Sequence, residues 1–204
     1  MAEREASRAP IGPRERVRAI LLESARVKQA LADAQADVIV RAAALVTDAL
    51  RRGGKVLLFG NGGSASDAQH LAAEWTGRLR GERRGLPAIA LTSNTSELTA
   101  IGNDYGFERI FARLVEAHAQ AGDVALALST SGNSPNVLAG VAEARARGLS
   151  TIGLTGRSGG KLAAAVDVPI CVPSDDTQRI QESHITIAHA LAELVEEALF
   201  PRTA

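Results

Sequence analysis

Residues 55–75 read KVLLFGNGGSASDAQHLAAEW. They begin with an unbroken aliphatic run, continue through a glycine-rich turn, and end in a segment whose apolar residues recur at helical spacing. A strand that is apolar at consecutive positions is buried on both faces, which is typical of a parallel sheet covered by helices. The stretch therefore predicts a β-loop-α unit of an α/β fold, with its glycine-rich turn at the carboxyl end of the strand.

The same pattern recurs along the rest of the chain. Strands are predicted at 55–60, 87–92, 123–129, 150–155 and 167–173, and helices at 65–79, 96–118, 135–147, 159–165 and 177–199. This alternation predicts one doubly wound α/β domain over residues 55–200, built on a five-stranded parallel sheet flanked by helices. Ligands of such folds bind beyond the carboxyl ends of the strands, so the turns there are the first places to search for a site.

The region before the first strand has a different pattern. Residues 14–54 carry Leu, Ile, Val and Ala at helical spacing and end at Gly53-Gly54, which predicts two N-terminal helices. Residues 1–13 are rich in charge and proline and show no periodicity, so they predict a flexible tail.

The composition narrows the class of protein. The chain has 204 residues, 46% of them hydrophobic, enough for one globular domain with a substantial core. Lys plus Arg and Asp plus Glu both total 23, so no net charge favours nucleic acid or an anionic membrane. No apolar stretch approaches the roughly 18 residues of a membrane span, and the N-terminus lacks the apolar segment of a signal peptide. With Cys171 as the only cysteine, we expect a cytoplasmic protein with no nucleic-acid or membrane partner.

Two turns at the predicted sheet edge suit an anion. The turn GNGGS, which contains Gly62, Gly63 and Ser64, opens a helix whose first N–H groups and dipole attract negative charge. The turn STSGNS places four hydroxyls within six residues, those of Ser129, Thr130, Ser131 and Ser134. Serine and asparagine also cap helices and form turns, which alone would explain any one of these residues. Together the two turns predict binding of a sugar monophosphate rather than a nucleoside triphosphate.

Two stretches resemble nucleotide-binding motifs, but each lacks residues that the motif requires. Residues 60–65 fit G-x-G-x-x-A, yet Thr92, rather than an acidic residue, stands at the end of the second predicted strand. Residues 153–162 imitate a Walker loop, yet Thr155 occupies its first glycine position and Leu162 follows the lysine. We therefore expect no nucleotide cofactor.

Histidines and a carboxylate are spaced so that they share helix faces. His70 and Glu74 lie four residues apart after the first turn, and therefore on one face. In the last helix, Gln181 and His189 are separated by about 80° around the axis, whereas His184 lies about 140° from His189. At most one of these two histidines can point fully at a shared site, and spacing alone does not choose it.

Five segments occur in order and at suitable spacing: GNGGSASDAQHLAAEWTGR, LTAIGNDYGFERIFAR, STSGNS, GLTGRSGGKLA and RIQESHITIAHALAELVE. In this set the chain resembles the phosphoheptose isomerases, a family of SIS (sugar isomerase) domain proteins, over roughly residues 55–199. The resemblance implies an aldose–ketose isomerase that converts sedoheptulose 7-phosphate to D-glycero-D-manno-heptose 7-phosphate through an enediol. This is the first step of nucleotide-activated heptose biosynthesis.

The resemblance also assigns residues. It implies Glu74 as general base and His189 as general acid, together with one Zn²⁺ per subunit. The implied zinc ligands are His70, Glu74, Gln181 and His189. The implied substrate contacts are Asn61, Gly62, Gly63, Ser64, Asp104, Ser129, Thr130, Ser131, Ser134 and Gln181.

The resemblance further implies a homotetramer with sites at subunit interfaces, packed through the N-terminal helices. Some relatives carry an acidic residue where this chain has Gln178, which leaves one substrate contact open. The alternative to an enzyme is a non-catalytic homologue that binds a replication-initiator protein or senses a phosphosugar. Because Glu74 and His189 accompany the serine-rich turn, the enzyme is the favoured hypothesis.

Overall fold

The computed structural model describes residues 12–201 of the chain. Its seven α-helices are α1 (Pro13–Arg51), α2 (Gly63–Thr76), α3 (Thr95–Tyr105), α4 (Ile110–His118), α5 (Pro135–Ala146), α6 (Gly160–Ala165) and α7 (Thr177–Leu199). Its five strands are β1 (Val56–Gly60), β2 (Ala88–Ala90), β3 (Val124–Leu128), β4 (Ser150–Gly156) and β5 (Val168–Val172). A short 3₁₀ turn, Phe107–Arg109, precedes α4.

The strands form one parallel sheet, as the apolar runs predicted, and their order in the sheet is β2-β1-β3-β4-β5. The order reverses between β1 and β3, which are hydrogen-bonded neighbours with Gly60 opposite Leu128. The turns that follow these two strands therefore begin side by side at the carboxyl edge of the sheet. This reversal is the position at which doubly wound sheets bind ligands.

Alternate strand residues enter two separate cores. Leu58 and Leu126 pack with α1, α2 and α7 on one face of the sheet. Leu57 and Ala125 pack with α4 and α5 on the other face. Burial on both faces explains the continuous apolar runs, because successive side chains of a strand point to opposite sides.

The N-terminal prediction was wrong in one respect. One 39-residue helix, α1, replaces the two helices expected over residues 14–54. No Gly or Pro between Leu21 and Val38 interrupts the helix, and Val27 and Leu31 are buried within this interval. Of the tail predicted at 1–13, residues 1–11 lie outside the described part, and Pro13 is the first residue of the helix.

The predicted helix at 96–118 is divided into α3 and α4, with Gly106 between them. Asn94 begins α3 by accepting hydrogen bonds from the N–H groups of Ser96 (3.1 Å) and Glu97 (3.3 Å). None of the helices between residues 12 and 201 is both long and apolar enough to cross a lipid bilayer.

Candidate active site

The turn after β3 gathers hydroxyl groups at the switch in strand order. Ser129 is buried at the end of the strand, and its Oγ lies 3.0 Å from Ser134 Oγ and 3.5 Å from Ser131 Oγ. Ser134 occupies the N-cap of α5 without capping it through its side chain, so its hydroxyl meets Ser129 Oγ rather than the helix backbone. Thr130 is only partly buried, and its carbonyl accepts a hydrogen bond from Gly156 N–H.

The Walker-like stretch at 153–162 supports this turn. Leu162 N–H donates to Gly132 O (2.9 Å), and Lys161 N–H donates to Asn133 Oδ1 (3.1 Å). Gly132 has φ of +65°, and a Cβ there would overlap the carbonyl group of Gly159. The sequence GRSGGKL therefore shapes the serine-rich turn by close backbone packing, which explains its glycines without a nucleotide.

The turn after β1 is tied to the same edge by two amides. Asn61 and Asn136 exchange two side-chain hydrogen bonds, each 2.8 Å long, which join the start of α2 to the start of α5. The N–H groups of Ser64 and Ala65 already bond carbonyls of Asn61 and Gly62. The Ser64 side chain is buried beside this turn.

His70, Glu74 and His189 come together where α2 packs against α7. His70 Nε2 lies 2.9 Å from His189 Nε2 and 3.3 Å from Glu74 Oε1. One ligand atom from each residue lies within 4.8 Å of the other two. Glu74 is half-buried and the two histidines are exposed, so the group has both a fixed carboxylate and open access for a substrate.

Gln181 is placed at the other end of α2. Its carboxamide lies against Gly63, so close that a Cβ there would require the Gln181 side chain to shift. Seven residues, or about 10 Å of helix, separate Gly63 from His70. Gln181 also lines a cavity of about 300 Å³ with Gln178 and Asp67.

His184 is buried on the opposite side of α7. Its Nε2 lies 3.3 Å from Thr155 O at the end of β4, and burial lowers the pKa of its imidazole to about 4 despite this bond. The choice left open by spacing is therefore settled by packing: His189 faces α2, and His184 faces the sheet. His118, at the end of α4, pairs with Glu97 at 3.6 Å.

A sequence model of the SIS domain matches residues 21–156. The phosphoheptose isomerase of Aquifex aeolicus is 57% identical over 189 residues, which cover 93% of this chain and 99% of that protein. The chain belongs to the phosphoheptose isomerase family. The solved phosphoheptose isomerase of Neisseria gonorrhoeae (48% identity, TM-score 0.87) covers 91% of this chain and 100% of its own. That of Francisella tularensis (38% identity, TM-score 0.89) covers 92% and 100%.

Other residues that the phosphoheptose isomerase resemblance assigned lie apart from the histidine pair. Asp104 is exposed near the end of α3, where its carboxylate accepts a hydrogen bond from Asn103 Nδ2 (2.8 Å). A cavity of about 400 Å³ beside Asn61 and Gly62 reaches the same helix through Gly102 and has a mostly apolar lining.

Neither Asp67 nor Asn136 was predicted from the sequence to be a site residue. Burial raises the pKa of Asp67 to about 6 although the charge of His70 opposes this, and its buried Oδ2 has no hydrogen-bond partner among residues 12–201. Only the position of Asp67, one turn before His70, hinted at a role. Nothing local marked Asn136, because an asparagine in the first turn of a helix is common without any long-range partner.

Proposed function

We propose that this phosphoheptose isomerase family member interconverts sedoheptulose 7-phosphate and D-glycero-D-manno-heptose 7-phosphate, the entry step to nucleotide-activated heptose. The observation that carries the proposal is the convergence of His70, Glu74 and His189 on the two helices beside the serine-rich turn. A carboxylate and an imidazole side by side supply the base and the acid that an aldose–ketose isomerisation requires.

The reaction moves one proton between C1 and C2 of the sugar. Glu74 removes the C1 proton of the ketose to give the enediol and returns it at C2, which restores the carboxylate. His189 moves the proton between the two hydroxyl oxygens, so that no net acid or base is consumed. Both groups are held by helices rather than by loops, which favours a fixed geometry for the transfer.

The phosphate group is assigned to the serine-rich turn. The Oγ atoms of Ser129, Ser131 and Ser134 already converge on one another, and three hydroxyls suit the three terminal oxygens of a phosphate. Thr130 and the buried Ser64 complete the assigned set. The N–H groups of Gly62 and Gly63 remain candidates at the neighbouring turn, since those of Ser64 and Ala65 are bonded to carbonyls.

For the metal we infer Zn²⁺, one per subunit, held by His70, Glu74 and His189. Gln181, the fourth ligand that the resemblance implies, would have to turn its carboxamide away from Gly63 to join them. Two imidazole nitrogens and a carboxylate oxygen are donors that zinc accepts, and their atoms already converge. A bound metal ion would polarise the carbonyl and orient the hydroxyl oxygens of the sugar.

The homotetramer is supported by an apolar surface on α1. Val17, Leu21 and Leu22 are exposed on this helix, as is Val40 farther along. An apolar groove of about 300 Å³ runs between α1 and α7 beside Val40, Ala190 and Leu194. Exposed apolar patches of this kind mark interfaces between copies of a chain. We also propose that the assembled protein is cytoplasmic.

The decisive experiment follows sedoheptulose 7-phosphate by NMR with purified protein, first after chelation and then with added Zn²⁺. Appearance of the aldose establishes the isomerase, and the comparison shows whether metal is needed. Binding of the sugar phosphate without conversion, from a folded protein under both conditions, would replace the enzyme by a phosphosugar sensor.

A further inference from the structure

Arg83 is a buried cation in the segment between α2 and β2. Its side chain is 1% exposed, and its guanidinium donates to three carbonyls at the end of α2: Glu74 (2.8 Å), Trp75 (2.8 Å) and Gly77 (2.9 Å). The last carbonyls of a helix have no donors within the helix, and their combined dipole is negative. Arg83 therefore adds hydrogen-bond donors and the opposite charge at the end of the helix that carries Glu74, where Trp75 O also accepts from Leu86 N–H.

Glu196 of α7 is the anion that accompanies this cation. Its carboxylate accepts a hydrogen bond from Arg83 Nε (2.9 Å) and from the N–H groups of Leu79 (3.1 Å), Arg80 (3.1 Å) and Gly81 (2.8 Å). Burial by itself would raise the pKa of this carboxyl group, but the N–H donors and Arg83 outweigh it and lower the pKa to about 2. Glu196 is therefore ionised at neutral pH.

The position of Glu196 relates this ion pair to the proposed catalytic histidine. His189 and Glu196 are seven residues apart, so they lie about 20° from each other around α7 and about 10 Å apart along it. Both face α2. Arg83 thus links the backbone of Glu74 directly to the helix that presents His189, two turns from the histidine itself.

We propose that Arg83 and Glu196 are positioning residues that fix the separation of Glu74 from His189 by joining the end of α2 to α7. This inference rests on the proposed roles of those two residues. Proton transfer requires its groups within a narrow range of distance, and a displacement of about 1 Å can cost roughly 100-fold in rate. The serine-rich turn lies between β3 and α5, which the pair does not touch, so the contacts of that turn with the phosphate should be independent of the pair.

Arg83→Lys and Glu196→Gln test the proposal. Lysine lacks the planar fork of N–H donors with which arginine bonds several acceptors at once. Glutamine keeps the size of Glu196 but removes its charge. We expect kcat to fall roughly 10- to 100-fold with KM for sedoheptulose 7-phosphate changed less than about threefold. Co²⁺, followed by its visible absorption, serves as the probe of the proposed metal site. Its affinity should also weaken, because the proposed metal ligands come from both α2 and α7.

The exposed pair Arg80–Glu193 provides a matched control. It joins the same segment to the same helix at 3.0 Å, but Arg80 bonds no carbonyl of α2 through its side chain. Arg80→Ala and Glu193→Ala should leave kcat and Co²⁺ affinity unchanged. If these two variants lose as much activity as Arg83→Lys, the effect is not specific to the buried pair and the inference fails.

Thermal unfolding separates positioning from stability. Activity is measured well below each unfolding midpoint, and Glu196→Gln carries the test should Arg83→Lys not fold. A lower midpoint with unchanged kcat and unchanged Co²⁺ absorption would assign the pair to stability alone and overturn the proposal. Glu74→Gln is assayed in parallel. If it remains active, the proposed catalytic roles fail. If Glu74→Gln is inactive while Arg83→Lys is fully active, only the positioning role is refuted.

Discussion

His70 Nε2 lies 2.9 Å from His189 Nε2, and the two rings meet edge to face with centroids 5.1 Å apart. The residues are 119 positions apart in the chain, so only the packing of α2 on α7 brings them together. At this distance one nitrogen donates a hydrogen bond and the other accepts it. If neither Nε2 carries a hydrogen, both atoms can instead serve as metal ligands.

His70→Gln should therefore weaken metal binding. Loss of a direct ligand should cost more than the roughly 10- to 100-fold that removal of a supporting group costs at metal sites. The Zn²⁺ dissociation constant can be measured by competition with a chromophoric chelator. His118→Gln is the control, since His118 pairs with Glu97 on the other side of the sheet. Equal zinc affinity in His70→Gln and the unaltered protein would exclude this ligand set.

Glu74→Gln should abolish turnover while leaving the fold intact. A positioned general base contributes roughly 100- to 10,000-fold, and the amide of glutamine cannot accept the C1 proton. The value of kcat for sedoheptulose 7-phosphate gives the effect, and binding of the sugar phosphate by calorimetry shows whether the phosphate site survives. Glu82→Gln, an exposed change six residues beyond the end of α2, should be neutral. Near-normal kcat in Glu74→Gln would show that another group is the base.

Most of the fold could be predicted because its signals are local. The interval predicted for the last helix, 177–199, agrees with α7 at both ends, and Asp176 explains its start by accepting hydrogen bonds from the N–H groups of Gln178 and Arg179. The missed continuity of α1 has a different cause. A weak apolar stripe on a long helix resembles a gap until the burial of Val27 and Leu31 is known.

The site was predictable only in part. Spacing placed His70 beside Glu74, but the choice of His189 over His184 depended on the family resemblance, because tertiary packing decides which face of α7 meets α2. The segment RLRGERRG, 78–85, has the composition of an exposed charged loop. Nothing local distinguishes its buried Arg83 from its exposed neighbour Arg84, since the partner of Arg83 lies more than a hundred residues away.

Ser134→Ala should raise KM rather than lower kcat. Its hydroxyl lies 3.0 Å from Ser129 Oγ in the turn assigned to the phosphate, far along the ligand from the reacting carbons. A hydrogen bond to a charged group is worth about 1.5–3 kcal/mol, so we expect KM to increase roughly 10- to 100-fold. Steady-state kinetics give the split, and Ser96→Ala on α3 is the exposed control. A loss in kcat at constant KM would place Ser134 at the reaction rather than at the phosphate.

The buried His184 should make stability depend on pH. Burial lowers the pKa of its imidazole from 6.5 to about 4, so between these values the unfolded chain binds a proton that the folded chain does not. Stability is therefore lost as the pH falls from 6.5 toward 4. At 1.36 kcal/mol for each tenfold change in proton affinity, the loss amounts to roughly 3 kcal/mol.

His184→Gln tests this, because a glutamine amide can still donate to Thr155 O but does not titrate. Urea unfolding of both proteins in metal-free buffer, at intervals from pH 7 to pH 4, gives the difference in their unfolding free energies. Asp67 contributes with the opposite sign, since burial raises its pKa to about 6, but its contribution is common to both proteins and cancels. The difference should shift in favour of His184→Gln as the pH falls. A difference that stays constant over this range would mean that His184 takes up its proton within the folded protein, and that its imidazole is not shielded by the packing of α7 on the sheet.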